Sequence, residues 1–172
     1  MVLEAVLAYS WFIVITFVTN GSLFAGVFII KKMRRGAVRD FLLTPVDMNK
    51  KFPDKRAIIG DHKPVAGIFI ALAFSIFFSL VYRLPVAPVL PVSVFLGDIA
   101  GSFVKRRFGI KNGRSVPLLD QLNFFVAGYA VVVLYGMSFP LADFLQLCVI
   151  TVIAHAGSNA FAYKIGMKGS PW

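Results

Sequence analysis

Charge is what this chain has least of. Only 15% of its 172 residues are Asp, Glu, Lys or Arg, against about 25% in a soluble domain, and only eight are acidic. It has one cysteine, Cys148, inside an apolar run, so no intrachain disulfide can form and the thiol reads as a small core side chain. With two histidines, a histidine-built metal site is not expected. Neither G-x-x-x-x-G-K-[ST] nor G-x-G-x-x-G occurs, which argues against the P-loop and dinucleotide-binding folds. No Ser/His/Asp or Cys/His set accompanies the basic segments, and there is no internal repeat or low-complexity tract. Alternation of polar and apolar residues is also missing, which excludes a membrane barrel.

What is present is hydrocarbon. Hydrophobic residues make up 58% of the chain and the mean hydropathy is +0.79. Continuous apolar runs approach the roughly 18 or more residues needed to cross a bilayer core. The expectation is an all-α, polytopic membrane protein forming one catalytic domain over 1–172. Five transmembrane helices are expected at about 3–30, 64–82, 84–104, 122–139 and 140–165. The first is too long for a secretory signal core, and Glu4 stands where a basic region would precede one.

The basic residues are distributed unevenly. Ten Lys or Arg fall in 31–63, five in 105–114 and two in the C-terminal tail, against Arg83 alone on the opposite side. The positive-inside rule makes loops 31–63 and 105–121 and the C-terminus cytoplasmic, with the N-terminus outside. The net charge of +10 then points to anionic ligands and headgroups at a cell-membrane surface, not to nucleic acid.

Gly97–Asn123 is the most specific stretch. Asp98 interrupts an apolar run, with Ser102 and Lys105 one and two turns further along the same face. An ionised carboxylate there costs several kcal/mol against lipid, so it should face a cavity or a partner. Lys105, Arg106 and Arg107 follow, then a loop broken by Gly109 and Gly113 that carries Lys111 and Arg114, and then Asp120. Carboxylates for a divalent ion and cations for phosphate oxygens are the parts of a polyphosphate site. Asp98 and Asp120 are the candidate metal ligands; Lys63, Lys105, Arg106 and Arg114 are the candidate phosphate cations. The two glycines are expected to let backbone approach a phosphate closely.

Polar stripes on the first and last spans point the same way. Tyr9, Thr16 and Asn20 share one helical face, as do Thr151, His155, Asn159 and Tyr163. Asn20, His155 and Asn159 are the ligand candidates; helix packing is the alternative for Tyr9 and Thr16, and a structural hydrogen bond for His155. In loop 31–63, Pro45, Phe52, Pro53 and Ile58–Gly60 alternate with charges, which suggests a loop folded against the bundle and not a solvated one. From spacing alone the reading stops at a polytopic protein with a cytoplasmic anion and metal site. A small transporter lined by Asp98, or a scaffold binding anionic lipid, uses some of the same parts.

The residues also carry a resemblance. S-F-V-K-R-R-F-G-I-K-N followed by P-L-L-D-Q-L-N, Ser102–Asn123, resembles the signature of the phosphatidate cytidylyltransferases. The chain is more closely similar to their archaeal relatives, the CDP-archaeol synthases. That similarity runs through Asn20, P-V-D at Pro45–Asp47, F-P-D-K-R at Phe52–Arg56, G-D-H-K at Gly60–Lys63, Gly97–Asp98 and the segment from His155 to Trp172. Asn112 and Asn123 stand where the bacterial-type pattern has Asp, and Pro64 where Thr is common.

The resemblance implies transfer of CMP from CTP to an unsaturated archaeal ether lipid phosphate, a digeranylgeranylglyceryl phosphate, with Mg²⁺ as cofactor and release of pyrophosphate. It implies Asp98, Lys105 and Asp120 as catalytic residues. It adds Asp47, Arg56, Asp61, Lys111, Gln121 and Asn123 to Asn20, Lys63, Ser102, Arg106, Arg114, His155 and Asn159 as substrate-binding residues.

Overall fold

The computed structural model describes residues 2–137 and 139–169. The elements are α1 (Val2–Ala8), α2 (Ser10–Lys32), α3 (Ala37–Leu43), α4 (Ala66–Tyr82), α5 (Leu90–Arg107), α6 (Leu119–Leu134) and α7 (Leu141–Lys164). Among the described residues there is no strand, only the isolated bridges Pro45–Pro64 and Lys51–Ala57. α2 and α7 are long and apolar enough to cross a membrane; α4 and α6 are also apolar but have 17 and 16 residues.

Helix ends account for most differences from the expected spans. The first run is two helices, divided at Tyr9, whose ring stacks on Phe139 at 4.1 Å. The third helix begins at Leu90, because Leu84 to Val89 form turns stabilised by Ala87 N–H to Leu84 O and Val89 N–H to Val86 O bonds. Pro91 lies in its first turn, where a missing N–H costs nothing. α6 begins at Leu119, earlier than the apolar pattern suggests, so Asp120 lies in its first turn. Loop 31–63 contains a further short helix, α3.

Packing follows from small residues and aromatics. α5 lies closest to α6, and two glycines one turn apart on α5 allow it. A Cβ on Gly97 would sit 2.5 Å from the Asn123 carbonyl and 2.6 Å from the Ala127 methyl; one on Gly101 would overlap the Asn123 amide. Across α2, Thr16 is fully buried, donates to the Phe12 carbonyl at 2.8 Å and packs against Gly128 of α6. Phe12, Phe78, Phe124, Phe125, Leu90 and Val94 fill the centre. Phe12 meets Phe125 edge-on at 4.9 Å, and Tyr129 stacks on Phe144 at 4.0 Å.

Three helices stop in the same way. After α5, α6 and α7, glycines at φ +72, +70 and +73° follow the last turn. The next residue's N–H returns to a carbonyl five positions earlier: Ile110 to Lys105, Met137 to Val132, and Met167 to Ala162. Glycine meets this left-handed requirement without a side-chain clash. Gly109 therefore caps α5.

Candidate active site

The long loop is folded against α5. Its neck is closed by Val46 N–H to Lys63 O and Val65 N–H to Thr44 O, both 2.9 Å. Asp47, 8% exposed, organises the interior by accepting backbone N–H bonds from Ile59 at 2.8 Å, Gly60 at 3.0 Å and Asn49 at 3.1 Å. Burial alone raises its pKa, but those three N–H donors outweigh it and hold the carboxyl below its ordinary value. Gly60, at φ +97°, lies so close to the Asn112 side chain that a Cβ would overlap it. Arg107 completes the join: it pairs with Asp54 at 2.6 Å, donates to the Ala57 carbonyl, and lies 4.5 Å from the Phe52 ring centre and 5.0 Å from that of Phe103. Arg56 donates back to the Arg107 carbonyl.

This folding produces a cavity of about 570 Å³. Its walls come from the C-terminal ends of α2, α5 and α7, the N-terminal ends of α4 and α6, and the segments 59–64, 112–115 and 167–169. Asp98 and Asp120 both line it, and each is paired: Asp98 with Lys63, and Asp120 with Lys105 at 2.7 Å. The other Asp120 oxygen accepts the Val116 N–H at 2.9 Å, anchoring the loop ahead of α6. Ser102 donates to the Asp98 carbonyl at 3.1 Å, as a residue four positions on along one face can. Asn20, Arg106, Arg114, His155 and Asn159 also line the cavity.

Six residues implicated from the sequence stand outside the cavity lining. Asp47 and Arg56 hold the long loop, as described. Asp61 accepts from the Asn112 amide at 3.4 Å, and Lys111 offers its carbonyl to Arg106 at 3.2 Å. The Gln121 side chain accepts the Leu118 N–H at 3.1 Å, and Asn123 packs between α5 and α6 while accepting the Phe124 N–H at 2.6 Å. Arg106 borders the cavity yet is 7% exposed, its guanidinium turned to Asn112 and Lys111 to pin the 109–113 loop.

His62 and Lys168 are among the lining residues that were not singled out from the sequence. His62 sits at the rim opposite Gly113; partial burial and the Lys31 charge lower its pKa from 6.5. Lys168 is returned to the cavity by the α7 glycine cap and donates to Asn159 at 2.6 Å. Its pKa is lowered by burial, partly offset by Asp120. The Y-K-I-G-M sequence at the end of α7 is the local signal for that reversal.

No group of three or more His, Cys, Asp or Glu forms a ready-made metal cage among the described residues. Two carboxylates, amides and hydroxyls, with no thiolate on the wall, form an oxygen-rich donor set. That suits Mg²⁺, which takes one or two protein carboxylates and completes its shell with water and substrate phosphate.

Comparison with known proteins identifies the family. A solved structure of an intramembrane enzyme for archaeal membrane lipid biosynthesis superposes with a TM-score of 0.64, at 29% identity, covering 92% of this chain and 94% of that one. The fold is thus that of an intramembrane lipid-biosynthetic enzyme. A family model described as CarS-like CDP-archaeol synthase matches residues 68–172. The CDP-archaeol synthase of Saccharolobus solfataricus is 35% identical, covering 91% of this chain and 90% of its own. That of Aeropyrum pernix is 35% identical over 74% of this chain and 78% of its own. The chain belongs to the CDP-archaeol synthase family.

Proposed function

We propose that this chain is a Mg²⁺-dependent CDP-archaeol synthase. It transfers CMP from CTP to an unsaturated archaeal ether lipid phosphate, a digeranylgeranylglyceryl phosphate, and releases pyrophosphate. The observation that carries the reading is the pairing of Asp98 with Lys63 and of Asp120 with Lys105 on the wall of one cavity. A lipid phosphate oxygen is already anionic at neutral pH, so the reaction needs no strong general base. Its obstacle is bringing two polyanions together.

Asp98 and Asp120 would hold Mg²⁺, which when bound supplies charge neutralisation at the CTP phosphates. Lys63 and Lys105 exchange their carboxylate partners for phosphate oxygens as substrates enter, and Arg114 and Lys168 add positive charge to the same wall. The lipid phosphate oxygen then forms a bond to the α-phosphorus of CTP as the bond to pyrophosphate breaks. Fixed cations that already face the site need little reorganisation. Asn20, His155 and Asn159 position the substrates by hydrogen bonds.

The chain is one catalytic domain crossing the cell membrane five times, through α1–α2, α4, α5, α6 and α7. Support comes from the clustering of the basic loops and the C-terminal turn around one cavity, while Arg83 lies between α4 and α5 away from it. That end is cytoplasmic and the N-terminus lies outside. The test is purified protein with CTP, Mg²⁺ and lipid phosphate, assayed for pyrophosphate and CDP-lipid. Release of both supports the reading. Lipid binding without pyrophosphate identifies a scaffold, and ion or solute flux in vesicles without turnover identifies a transporter.

A further inference from the structure

The end of α2 carries a charged surface that the cavity does not use. Leaving the helix, the chain reads Lys31, Lys32, Met33, Arg34, Arg35, Gly36, four cations and no acid, and every residue from 31 to 38 is exposed. Lys31 also lines the cavity. Arg39 is committed elsewhere: it pairs with Asp40 at 3.1 Å and donates to the Lys31 carbonyl at 3.1 Å, tying α3 back to the end of α2. Lys32, Arg34 and Arg35 make no ion pair among the described residues, and the Lys32 ammonium lies 4.3 Å from the Phe28 ring centre.

Apolar side chains stand beside these cations. Val38 and Phe41, one turn apart on the same face of α3, are 69% and 56% exposed, and Met33 is exposed as well. Their depth is set by α4. Phe41 meets Phe69 edge-on with ring centres 6.5 Å apart, and Phe69, near the start of α4, is itself 52% exposed. An exposed ring at the start of an apolar spanning helix lies at the edge of the hydrocarbon. Phe41 shares that level, which puts Lys32, Arg34 and Arg35, between α2 and α3, at headgroup depth. Free cations flanked by apolar anchors match a phosphate-bearing lipid surface. An acidic soluble partner would have no use for Val38 and Phe41 at the hydrocarbon edge.

The same segment reaches the active site through Thr44. Its N–H donates to the Phe41 carbonyl at 3.1 Å and its hydroxyl to the Asp40 carbonyl at 3.0 Å, while its own carbonyl accepts the Val65 N–H at 2.9 Å. Thr44 thus joins α3 to the neck of the long loop, two residues from Lys63.

We propose that Lys32, Arg34 and Arg35, with Val38 and Phe41, form a binding site for an anionic phospholipid of the cytoplasmic leaflet, and that the occupied site braces the neck that delivers Lys63 to the cavity. This lipid is distinct from the acceptor and stays in the bilayer. Its binding rests on the membrane crossing proposed for α2 and α4; the bracing rests on the synthase reading.

Binding is tested without turnover. In a Trp11→Phe, Trp172→Phe background, Phe41→Trp reports adjacent lipid in vesicles through quenching by brominated phosphatidylcholine or brominated phosphatidylglycerol. Each nearby cation favours an anionic headgroup by about fivefold, so phosphatidylglycerol should be preferred about tenfold or more at this position. Lys32→Gln, Arg34→Gln and Arg35→Gln together should abolish the preference, and Leu145→Trp, near the opposite end of α7, should show none. Equal quenching by the two lipids at Phe41→Trp, the same preference at Leu145→Trp, or a preference that survives the three Gln substitutions overturns the proposal. Loss of the preference on adding glycerol phosphate in solution also overturns it, because the site would then take free phosphate and not a lipid.

Bracing is tested by turnover at saturating CTP and acceptor. Wild type should make CDP-lipid severalfold faster in phosphatidylcholine vesicles containing phosphatidylglycerol than in phosphatidylcholine alone. The triple Gln variant should match wild type in phosphatidylcholine and gain nothing from phosphatidylglycerol. Equal wild-type turnover in the two membranes, or an equal gain by the variant, refutes the bracing. If wild type makes no CDP-lipid in either membrane, the synthase reading fails by itself, while the quenching still reports the lipid site.

Discussion

Lys105, Arg106 and Arg107 are three consecutive cations with three different tasks, because a helix rotates each by about 100° from the last. Lys105 faces the cavity and Asp120, Arg106 is buried against the 109–113 loop, and Arg107 holds the long loop through Asp54, Ala57 and two rings. Replacement should separate these roles. Asp98→Asn or Asp120→Asn is expected to cut CMP transfer about a hundredfold or more while leaving folded protein detectable by size-exclusion chromatography. Wild-type turnover in either variant removes the proposed ion-binding pair. Lys168→Ala should raise KM for CTP or lipid phosphate with partial rescue by Lys168→Arg, because Lys168 adds charge where Asp120 and Lys63 already act.

His62 also gives a pH dependence at this scale. Its pKa is lowered in the folded protein from an ordinary 6.5, so the unfolded chain takes up a proton first as pH falls. The His62 contribution is therefore neutral well above pH 6.5 and destabilising below it. Melting temperatures from pH 7.5 to 5 should fall more steeply for wild type than for His62→Gln. Parallel curves would show that His62 carries no such linkage.

Among the elements, the α5–α6 pair is the one that places both carboxylates. Gly97 lets α5 approach the Asn123 carbonyl, and the next residue, Asp98, is thereby turned toward the cavity. Gly97→Leu inserts volume into that contact, where overpacking costs about 1–3 kcal/mol, and should lower both the melting temperature and activity. A variant as stable as wild type would mean the pair can separate without loss. The long loop depends on a few anchors instead. Arg107→Ala should expose 50–57 to limited proteolysis while the helices resist, read by the time course of cleavage.

Element boundaries show where local sequence stops being informative. No proline interrupts the run Leu3–Ile30 and no charge falls near Tyr9, so the local sequence contains no mark of the division there; the stack on Phe139, more than a hundred residues away, accompanies it. Asp47 illustrates the converse. The family resemblance implies ligand contact for it, yet its oxygens accept the N–H groups of Ile59, Gly60 and Asn49. A carboxylate accepting backbone N–H groups and one awaiting a cation have the same sequence signature. The glycine caps, by contrast, were available locally, and the one after α7 would have indicated Lys168.

At the scale of the whole molecule, the segments 59–64, 112–115 and 167–169 are far apart in the chain and meet around one cavity. Topology is the corresponding test. In a Cys148→Ala background, Arg34→Cys should react with an impermeant maleimide only from the cytoplasmic side of oriented vesicles, and Arg83→Cys only from the other. Labelling of both from one side would refute the five-span arrangement.

By itself the sequence determined the all-helical membrane character, the concentration of basic residues on two loops and the tail, the Asp98–Ser102–Lys105 face, and the motifs shared with the CDP-archaeol synthases. These follow from hydropathy, from the 3.6-residue period and from residue identity, all of which act over a few turns of chain. Only the tertiary structure decided which charges line the cavity. Lys63 and Lys168 reach it through a loop neck and a helix cap, while Arg56, Asp61 and Lys111 are held outside its wall. A side chain's partner depends on distances closed by packing, and those depend on contacts between residues remote in the chain.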